Sequence, residues 1–553
     1  MKNWNIKNEF KTQNLKLTTQ KILDILLKNR GLDTQKQIDE FLNPSLESVS
    51  IKSVGIDKKE IDKTLQRIKK AVDADEKIVI YGDYDVDGIC ATAILWETLY
   101  AFYKNVIPYI PHRIDEGYGL SEKGIEKIIS ENGKIGLIIT VDNGIVAHDA
   151  IAFANQNGID IVVTDHHVVS DRLPKALAIV HTTKLCGAGV AYLLGKEISS
   201  EFGSGENSNH LELAALATVA DVMPLLNENR ALLKFGLESL RKTKRIGLLA
   251  LFREIGIEKE RVGVYEIGHM IAPRLNAAGR MSHALDALRL ICTTDRVRAA
   301  LLARQLGETN KDRQLLTEEM RLHAEGISDK ISESEKIIFV HDTFYSQGVI
   351  GLIAGRLVER HYKPSFVLSV GEEFSKGSAR SVKGFNIIEF IRSFEEYLVD
   401  AGGHPMAAGF TIETSKIELF KKALEKKGKD LLTEALLTQA LEIDLELPFD
   451  FVNLNMFNDL QKLSPFGMGN PEPVFATREV IISSLKTVGK TSAHLKLLLQ
   501  KNGKSFSAMW FGNGSHNLKI GQRVDVAYAI DVNEWRDKKE LVLKIKDIQN
   551  SSN

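Results

Sequence analysis

Residues 77–88 read KIVIYGDYDVDG, and this stretch decides how the rest of the chain is interpreted. Residues 78–80 form a short β-branched apolar run, which is typical of a buried β-strand. Three carboxylates follow the run at every second position: Asp83, Asp85 and Asp87. Aspartate is a poor strand former, so we expect the strand to end here. Because open α/β sheets place their active sites at the carboxyl ends of the strands, these side chains are candidates for function.

The same stretch also has an ordinary structural interpretation. Residues 89–102 have the composition of an apolar helix, and an aspartate in the preceding turn commonly caps such a helix. We expect Asp87 to cap this helix as well as to take part in chemistry. An isolated Asp-x-Asp pair would favour the capping role alone. The functional interpretation is favoured because similar strand endings recur further along the chain.

Two later strands are predicted to end in the same way. Residues 135–141 form the next apolar run and are followed by Asp142, while residues 160–164 form another and are followed by the triplet DHH at 165–167. Helical patterns separate these runs. Strands that alternate with helices predict an α/β fold with a doubly wound parallel sheet. Three successive strands would therefore deliver acids or histidines to one edge of the sheet.

The residues at this predicted edge are typical ligands of hard divalent cations. A metal site with mostly oxygen ligands and one imidazole would contain Asp85, Asp87, Asp142 and His166. It would also contain one further carboxylate. Such a set suits Mn²⁺ or Mg²⁺ better than zinc or copper. Converging carboxylates repel one another unless cations neutralise them, and two metal ions that share aspartates are the simplest solution. Metal pairs about 3.5–4 Å apart are a standard device for phosphate-ester hydrolysis.

One more acid lies at the end of a predicted buried helix. Residues 211–221 read LELAALATVAD and are apolar on nearly every side, which is typical of a helix inside a core. A charged side chain after such a run is seldom buried without a partner. Acids favour the N-terminal end of a helix, so a purely structural role for Asp221 at the C-terminal end is disfavoured.

Length and composition indicate a multidomain globular protein. The 553 residues exceed what one hydrophobic core usually supports, so we expect three or four domains. The hydrophobic fraction of 44% and the charged fraction of 26% are ordinary for a globular chain. The net charge of −1 gives no support by itself to nucleic-acid binding, although carboxylates of a metal centre would offset basic residues in a groove.

Targeting signals and cysteine chemistry point to the cytoplasm. The sequence has no apolar run of about 18 residues, so we expect no membrane span. Its first residues, MKNWNIKNEF, do not have the apolar core of a secretory signal. Cys90, Cys186 and Cys292 are widely spaced, which suggests neither a disulfide framework nor a zinc cluster.

Several motifs together resemble those of the DHH phosphoesterase superfamily, and in particular its single-stranded-DNA-specific exonucleases. They are GDYDVDG (82–88), TVDNG (140–144), TDHH (164–167), LCGAG (185–189), LATVADVMPL (216–225), RLNAAGRM (274–281), SARS (378–381) and GGHPMAAG (402–409). The resemblance implies processive 5′→3′ degradation of single-stranded DNA to mononucleotides, with two Mn²⁺ or Mg²⁺ ions, in DNA repair and recombination. Some relatives carry an extra C-terminal domain, which we do not expect here.

The resemblance also implies an order of domains. We expect an α/β, multidomain protein with a helical N-terminal accessory segment (1–50), a DHH catalytic domain with a parallel sheet (51–284), a connecting helix (285–330), a DHH-associated α/β domain (331–432) and an OB-fold nucleic-acid-binding domain (433–553). Five short strands, at 480–482, 494–499, 505–510, 523–530 and 540–548, suit the small barrel. Trp510 and Phe511 are neighbours on one strand, so only one of them can face its core.

Site residues follow from matching positions in these motifs. The implied metal ligands are Asp85, Asp87, Asp142, His166 and Asp221. His167 is implied beside the metals, where it would bind or position the scissile phosphate. Asn143 is expected to support the ligands, and Asp83 either is a further ligand or orients a neighbouring one.

The resemblance assigns further residues to DNA. The implied contacts to phosphate are Arg113, Arg280, Ser378, Arg380 and His404, the last three in a pocket for the 5′ end. A solvated loop side chain is an equally good interpretation of Arg113. Backbone N–H groups of the Gly-rich turn at 186–195 are also expected to meet a phosphate. Implied partners are single-stranded DNA, a single-strand-binding protein and a RecQ-type helicase, and we expect a monomer.

Two other functions stay open at this stage. The superfamily also contains DHH-type oligoribonucleases and other small phosphoesterases, but the chain length and the predicted barrel favour a polymeric substrate. A non-catalytic nucleic-acid adaptor is the second alternative. It is disfavoured because a pure binding protein gains nothing from clustered carboxylates that face a polyanion.

Overall fold

The computed structural model describes residues 2–8, 18–112, 116–117, 119–203, 210–535 and 538–551. Its strands are β1 (Asn3–Ile6), β2 (Ile78–Tyr81), β3 (Val106–Tyr109), β4 (Leu137–Val141), β5 (Asp160–Asp165), β6 (Ala178–His181), β7 (Ile338–Asp342), β8 (Ser365–Ser369), β9 (Phe374–Arg380), β10 (Leu398–His404), β11 (Ala407–Glu413), β12 (Ala440–Ile443), β13 (Leu445–Glu446), β14 (Phe475–Val488), β15 (His494–Lys501), β16 (Lys504–Trp510), β17 (Arg523–Trp535) and β18 (Lys538–Asn550).

The helices connect these strands. They are α1 (Thr19–Asn29), α2 (Gln35–Leu42), α3 (Ile51–Val54), α4 (Lys58–Asp73), α5 (Val86–Tyr100), α6 (Glu122–Asn132), α7 (His148–Gln156), α8 (Gly187–Phe202), α9 (His210–Ala220), α10 (Asn227–Arg241), α11 (Ile246–Ile255), α12 (Val264–Glu266), α13 (Ala272–Met281), α14 (Leu285–Cys292), α15 (Arg296–Ser328), α16 (Ile350–His361), α17 (Ile387–Arg392), α18 (Ile417–Leu431), α19 (Glu434–Leu437) and α20 (Leu454–Leu460). Among the described helices, none has both the length and the apolar character needed to cross a membrane.

The chain forms two compact units that are not continuous in sequence. The first unit consists of Arg30–Lys311 and Gln461–Glu472. The second unit contains the described residues within Met1–Asn29, Asp312–Leu460 and Pro473–Asn553. Each unit is therefore assembled from segments that are separated in sequence by parts of the other.

The first unit is built on a parallel sheet with the order β3-β2-β4-β5-β6. Alternate residues of β2 point to opposite faces, so Ile78 and Ile80 belong to one hydrophobic core and Val79 and Tyr81 to another. All four are fully buried, and each aliphatic side chain of this kind stabilises the fold by about 1.5–3 kcal/mol. Cores on both faces and parallel neighbours confirm the predicted doubly wound α/β architecture.

The second unit contains a mixed sheet and a barrel. The mixed sheet has the order β10-β11-β9-β8-β7, in which β7 and β8 are parallel and the other neighbours are antiparallel. The barrel has the order β13-β14-β15-β16-β18-β17 and closes through pairing of β14 with β17. Its five long strands include each predicted strand and confirm the predicted OB-type barrel.

Two local features differ from the sequence-based expectations. The N-terminal segment was expected to be helical, yet β1 is a strand that pairs in parallel with β12 of the second unit. The connecting helix was expected to be continuous, yet it consists of α14 and α15. It breaks because Asp295 accepts hydrogen bonds from the N–H groups of Val297 and Arg298, at 2.7 and 2.9 Å, and so starts a new helix.

Candidate metal centre

The carboxyl edge of the parallel sheet in the first unit carries a cluster of acids and histidines. The side chains that come together there are Asp83, Asp85 and Asp87 after β2, Asp142 after β4, Asp165, His166 and His167 at the end of β5, and Asp221 after α9. Parallel strands end at the same edge, so residues distant in sequence become neighbours. Sequence reasoning selected each of these residues except Asp165.

Asp85 and Asp87 are held by the first turns of two helices. Asp85 is the N-cap of α5, because its Oδ1 accepts hydrogen bonds from the N–H groups of Asp87 at 2.9 Å and Gly88 at 3.1 Å. The expectation that Asp87 caps this helix was wrong. The carboxylate of Asp87 instead accepts hydrogen bonds from the start of α8, namely from the N–H groups of Gly187 at 2.6 Å and Ala188 at 2.7 Å. The Gly-rich turn expected to meet a phosphate therefore holds a carboxylate in that position.

His166 lies at the centre of three carboxylates. Its Nε2 atom is 3.0 Å from Oδ1 of Asp142, 3.6 Å from Oδ2 of Asp87 and 3.8 Å from Oδ2 of Asp221. The imidazole and two of the acids, Asp87 and Asp142, are largely buried, whereas the Asp221 side chain keeps 30% of its surface exposed. One imidazole nitrogen thus faces three carboxylate oxygens. They belong to Asp142 after β4, Asp87 in α5 and Asp221 after α9.

The backbone at Asp142 is constrained to present its side chain. Asp142 has a φ of +61°, a conformation that few non-glycine residues adopt. The next residue, Asn143, holds the turn by donating from Nδ2 to the carbonyl oxygens of Tyr81 at 3.2 Å and Val141 at 2.8 Å. A Cβ on Gly187 would lie only 2.5 Å from Cβ of Asp142, so the close approach of α8 requires glycine there.

Asp165 orients the two histidines that follow it. Its Oδ1 accepts hydrogen bonds from the N–H groups of His166 and His167 and lies 2.8 Å from Nδ1 of His167. Its Oδ2 accepts the N–H of Ile145 at 2.9 Å. A buried acid directly before two histidines was the only sequence signal for this role. Hydrogen bonds of this kind fix which imidazole nitrogen faces a ligand.

Burial and like charges act in the same direction on the acids of the sheet edge. Burial, followed by the charges of Asp87, Asp85 and Asp83, raises the pKa of Asp142 well above its ordinary value. Burial and the charges of Asp87 and Asp85 raise the pKa of Asp221 to about 8. Such shifts mean that the acids resist being charged together. A bound cation would relieve this repulsion.

At His167 the neighbouring acids outweigh burial. Burial disfavours the charged imidazolium, but the hydrogen bond and charge of Asp165, with the charges of Asp221 and Asp83, raise the pKa of His167 to about 9. The pKa of Asp165 is lowered, because its hydrogen bonds with His167 and with backbone N–H groups outweigh burial. Asp165 therefore favours the charged form of His167.

The donor atoms form groups of the size that metal ions require. Within each group the donor atoms lie within 4.8 Å of one another, and the groups are Asp87 with His166 and Asp221, Asp83 with Asp85 and Asp142, and Asp142 with His166 and His167. Carboxylate oxygens with one or two imidazoles fit Mn²⁺ or Mg²⁺. Asp83, for which a ligand role and a supporting role were both open, lies in one of these groups.

One predicted DNA-contacting residue of the first unit lies beside this edge. Arg280 is half-buried on α13, the helix whose Asn276 Oδ1 accepts the N–H of Val86 at 2.9 Å. The same helix approaches the loop after β2 so closely that a Cβ on Gly279 would lie 2.5 Å from the carbonyl oxygen of Tyr84. Arg113 lies outside the described residues.

The other predicted contacts belong to the second unit. Ser378 and Arg380 lie on β9, and His404 ends β10. Nη1 of Arg380 donates to Oγ of Ser378 at 3.0 Å, and burial lowers the pKa of Arg380. A Cβ on Gly351, in the first turn of α16, would lie 2.8 Å from Nη2 of Arg380 and 3.1 Å from Oγ of Ser378. A guanidinium and a hydroxyl thus meet beside the first turn of α16, and both are groups that can bind an anion.

Only one of the two neighbouring aromatic residues on the barrel faces its core, as predicted. Trp510 is 5% exposed and belongs to the core, whereas Phe511 is 54% exposed. The exposed ring packs edge-on against His494, with ring centroids 5.3 Å apart. An exposed aromatic ring on an OB-type barrel provides a surface on which a nucleobase can stack.

Three family models match consecutive parts of the chain. The DHH family N-terminal domain matches residues 77–220, the DHHA1 domain matches residues 334–430 and the RecJ OB domain matches residues 443–547. The first match contains every acid and histidine of the sheet-edge cluster except Asp221. The other two matches lie mainly in the second unit, on the mixed sheet and on the barrel.

Curated relatives are similar over most of the chain. A single-stranded-DNA-specific exonuclease RecJ of Bacillus subtilis is 34% identical over 535 residues, which cover 94% of this chain and 67% of the relative. The protein of the same name from Haemophilus influenzae is 30% identical over 562 residues, which cover 96% of both chains. The similarity therefore extends well beyond the motifs of the metal centre.

A solved structure has the same fold over the full length of the chain. The crystal structure of RecJ from Thermus thermophilus in complex with Mn²⁺ superposes with a TM-score of 0.83 at 28% identity, covering 100% of this chain and 80% of that one. The corresponding complex with Mg²⁺ gives a TM-score of 0.78 at 26% identity, covering 100% of this chain and 79% of that one.

Proposed function

The chain belongs to the RecJ family of single-stranded-DNA-specific exonucleases, and from this premise we propose how its residues carry out the reaction. The protein hydrolyses phosphodiester bonds of single-stranded DNA from the 5′ end and releases mononucleotides. The observation that carries the proposal is the sheet edge where Nε2 of His166 lies within 3.8 Å of three carboxylates. A polyanionic substrate reaches such an edge only when cations offset the acids.

The cofactors are two divalent cations, Mn²⁺ or Mg²⁺, and structures of a relative with each ion support this assignment. One group of ligands is Asp87, His166 and Asp221, and the other is Asp83, Asp85 and Asp142. The chemistry that such a pair supplies when bound is Lewis-acid activation of the attacking water and neutralisation of the leaving oxygen. Asp142 lies between the two groups, since its Oδ1 is 3.0 Å from Nε2 of His166.

His167 acts on the substrate as a hydrogen-bond donor. Its hydrogen bond with Asp165 orients the ring, and the charge of Asp165 favours the protonated form by raising the pKa of His167. A charged imidazolium beside the acids binds a phosphate oxygen through a charge-assisted hydrogen bond. His167 thereby positions the scissile phosphate, and Asp165 is the residue that positions His167.

The meeting point of Ser378, Arg380 and the start of α16 binds the 5′-phosphate of the DNA. The guanidinium of Arg380 and the hydroxyl of Ser378 carry hydrogen-bond donors, and phosphate offers only acceptors. Arg113, Arg280 and His404 contact further phosphates of the strand. Recognition of a 5′-phosphate gives the enzyme its polarity.

Replacement of Arg380 by alanine tests this assignment. The Arg380→Ala variant should degrade 5′-phosphorylated single strands at least about tenfold more slowly, with a smaller change for 5′-hydroxyl strands and unchanged Mn²⁺ binding. Lys376→Ala, which removes an exposed cation from the same strand, is the matched control. Equal losses on both kinds of 5′ end would contradict the assignment.

The polarity and the metal requirement are measured together on one substrate. A single strand is labelled at either the 5′ or the 3′ end and incubated with Mn²⁺, Mg²⁺ or EDTA. We expect early release of labelled mononucleotide from the 5′ end only, and none with EDTA. Early release from the 3′ end would overturn the polarity, and cleavage confined to dinucleotides would indicate a small-substrate phosphoesterase.

In the cell, the enzyme acts in the cytoplasm in DNA repair and recombination. A single-strand-binding protein and a RecQ-type helicase are its partners, because both produce or hold the single strands that it degrades. The protein works as a monomer. Light scattering at micromolar concentration would contradict this if it gave a multiple of the 61.6 kDa chain mass.

A further inference from the structure

The turn that carries Asp221 is held in a strained backbone conformation. The N–H of Met223 donates to the carbonyl of Thr218 at 3.0 Å, and the N–H of Val222 donates to the carbonyl of Val219 at 3.2 Å. This pattern closes a helix with one left-handed residue, usually glycine. Here that residue is Val222, with a φ of +56°. A β-branched residue in this conformation persists only when its surroundings hold it.

A loop from much later in the chain contacts this turn. Residues 463–471, which we name the bracing loop, belong to the first unit, although the segments before and after it belong to the second. The carbonyl of Met468 accepts the N–H of Leu225 at 2.7 Å. A Cβ on Gly469 would lie 3.2 Å from Cβ of Pro224, so the loop packs directly against the turn.

The bracing loop is rigid because a buried asparagine holds it together. Asn470 is fully buried, and its Nδ2 donates to the carbonyl oxygens of Leu463 at 2.7 Å and Pro465 at 2.8 Å. Gly467 and Asn470 also exchange backbone hydrogen bonds in both directions, at 2.9 and 3.2 Å. A loop with these internal bonds moves as one body rather than residue by residue.

Two arginines attach the bracing loop to the rest of the first unit. Arg230 on α10 is 1% exposed, and its guanidinium donates to the carbonyl oxygens of Leu463 at 3.1 Å and Ser464 at 2.7 Å. Arg30 donates from Nε to Oδ1 of Asn470 at 2.8 Å. A buried guanidinium needs its donors satisfied, so Arg230 and the loop carbonyls depend on each other.

We infer that the bracing loop is a positioning element for the metal ligand Asp221. It holds residues 222–225, and through them it keeps the Asp221 carboxylate 3.8 Å from Nε2 of His166. Ligands must be held to within about 0.5 Å to bind well, so a small push on Pro224 should weaken metal binding. The inference rests on the proposed function, because it takes Asp221 as a ligand.

The test is the Gly469→Ala variant. Its Cβ would press on Pro224, which has a rigid ring, and move the turn by a few tenths of an ångström. We expect the Mn²⁺ concentration for half-maximal binding, followed by electron paramagnetic resonance without DNA, to rise about tenfold. At saturating Mn²⁺, the KM for single-stranded DNA should equal that of the wild type.

Gly256→Ala is the matched control. Gly256 has a φ of +78° against +73° for Gly469, but a Cβ there would have open space around it. The control carries the same backbone strain and should bind Mn²⁺ like the wild type. If Gly469→Ala binds Mn²⁺ like the control while its melting temperature falls, the loop is merely structural and the inference is overturned.

A second variant covers the case in which Gly469→Ala does not fold. Arg230→Lys keeps the buried charge but lacks the planar guanidinium that donates to both loop carbonyls. It should weaken Mn²⁺ binding, as Gly469→Ala does. Unchanged Mn²⁺ binding in folded Arg230→Lys would overturn the inference. Wild-type protein that binds no Mn²⁺ at all would instead refute the proposed function, so the two failures are distinguishable.

Discussion

Two clusters of buried acids lie near opposite ends of the same pair of helices in the first unit. Asp85 and Asp87 begin α5 and Asp221 follows α9, and these acids belong to the metal centre. Glu97, near the end of α5, and Glu212, near the start of α9, form the second cluster. There the charges are opposite: Arg245 donates to both oxygens of Glu97 at 2.7 Å, and its Nε lies 2.9 Å from Oε1 of Glu212.

The two clusters differ in what surrounds each acid. Burial disfavours the charged form of Glu97, but hydrogen bonds from Arg245 and His210 outweigh it and lower the pKa of Glu97 to about 2. At Asp142, burial and neighbouring acids act in the same direction and raise the pKa. A cluster whose cations belong to the chain serves stability, whereas a cluster in which burial and neighbouring acids both disfavour charge is suited to bind cations from outside.

The largest expected effect is at Asp142. The Asp142→Asn variant should lose more than a hundredfold in activity, beyond the roughly 10–100-fold typical of groups that only support a ligand. Its free energy of unfolding without metal should stay constant or rise, because one repelling charge is gone. Excess Mn²⁺ at about 100 times Kd should stabilise the wild type by about 2.7 kcal/mol, and the variant by less, in thermal melts.

Asp171→Asn makes the same exchange at an exposed position and is the control for the Asp142 variant. It should match the wild type in activity and in stabilisation by Mn²⁺. Strong destabilisation of Asp142→Asn without metal would contradict the proposed difference between the two clusters, since Asp142 would then stabilise the fold.

The next effect is on stability, at Glu97. Glu97→Gln should lower the free energy of unfolding by about 3–5 kcal/mol at pH 7, because it leaves the buried Arg245 with an incomplete partner. The pKa of Glu97 is lowered by folding, so its contribution is present above pH 4.5 and lost as the pH falls towards 2. Urea melts should therefore show a difference that shrinks below about pH 4.5. A loss of Mn²⁺ binding in the folded variant would contradict the separation of the clusters.

The smallest effect is expected at Glu212, the other acid of the paired cluster. Burial raises the pKa of Glu212 to about 7, against hydrogen bonds and charge from Thr243 and Arg245. The folded state then holds a proton that the unfolded state releases, so this group reduces stability as the pH rises from 4.5 to 7. Glu212→Gln should remove this pH-dependent loss of folding free energy, which is at most about 3.4 kcal/mol over that range. Parallel pH profiles of wild type and variant would contradict the prediction.

The sequence predicted the sheet edge because strand endings are local features. Asp85, Asp87, Asp142 and His166 each follow an apolar run, and a parallel sheet brings such endings together without further information. Asp221 was assigned through the resemblance of its motif, LATVADVMPL, to the family, and its place at the C-terminal end of an apolar helix supported a role beyond structure. The argument from strand endings needs only the residues next to each candidate.

Other features depend on partners that are distant in sequence. The hydrogen bonds from Gly187 and Ala188 to Asp87 depend on where α8 begins in space, which no local pattern specifies. The bracing loop looked like an ordinary turn in the sequence, and its role depends on Arg230 and Pro224, which lie more than two hundred residues earlier. Tertiary packing decides such contacts, and a single sequence does not display it.

The pairing of β1 with β12 has a consequence for how the protein is made. Asn3 pairs with Ala440, so the ribosome adds more than four hundred residues after β1 before its partner strand exists. At about 5–20 residues per second, β1 waits roughly 20–90 s for its neighbour. Until then its backbone donors and acceptors are open to other strands. Native pairing of β1 therefore requires that it stay free of other strands throughout that interval.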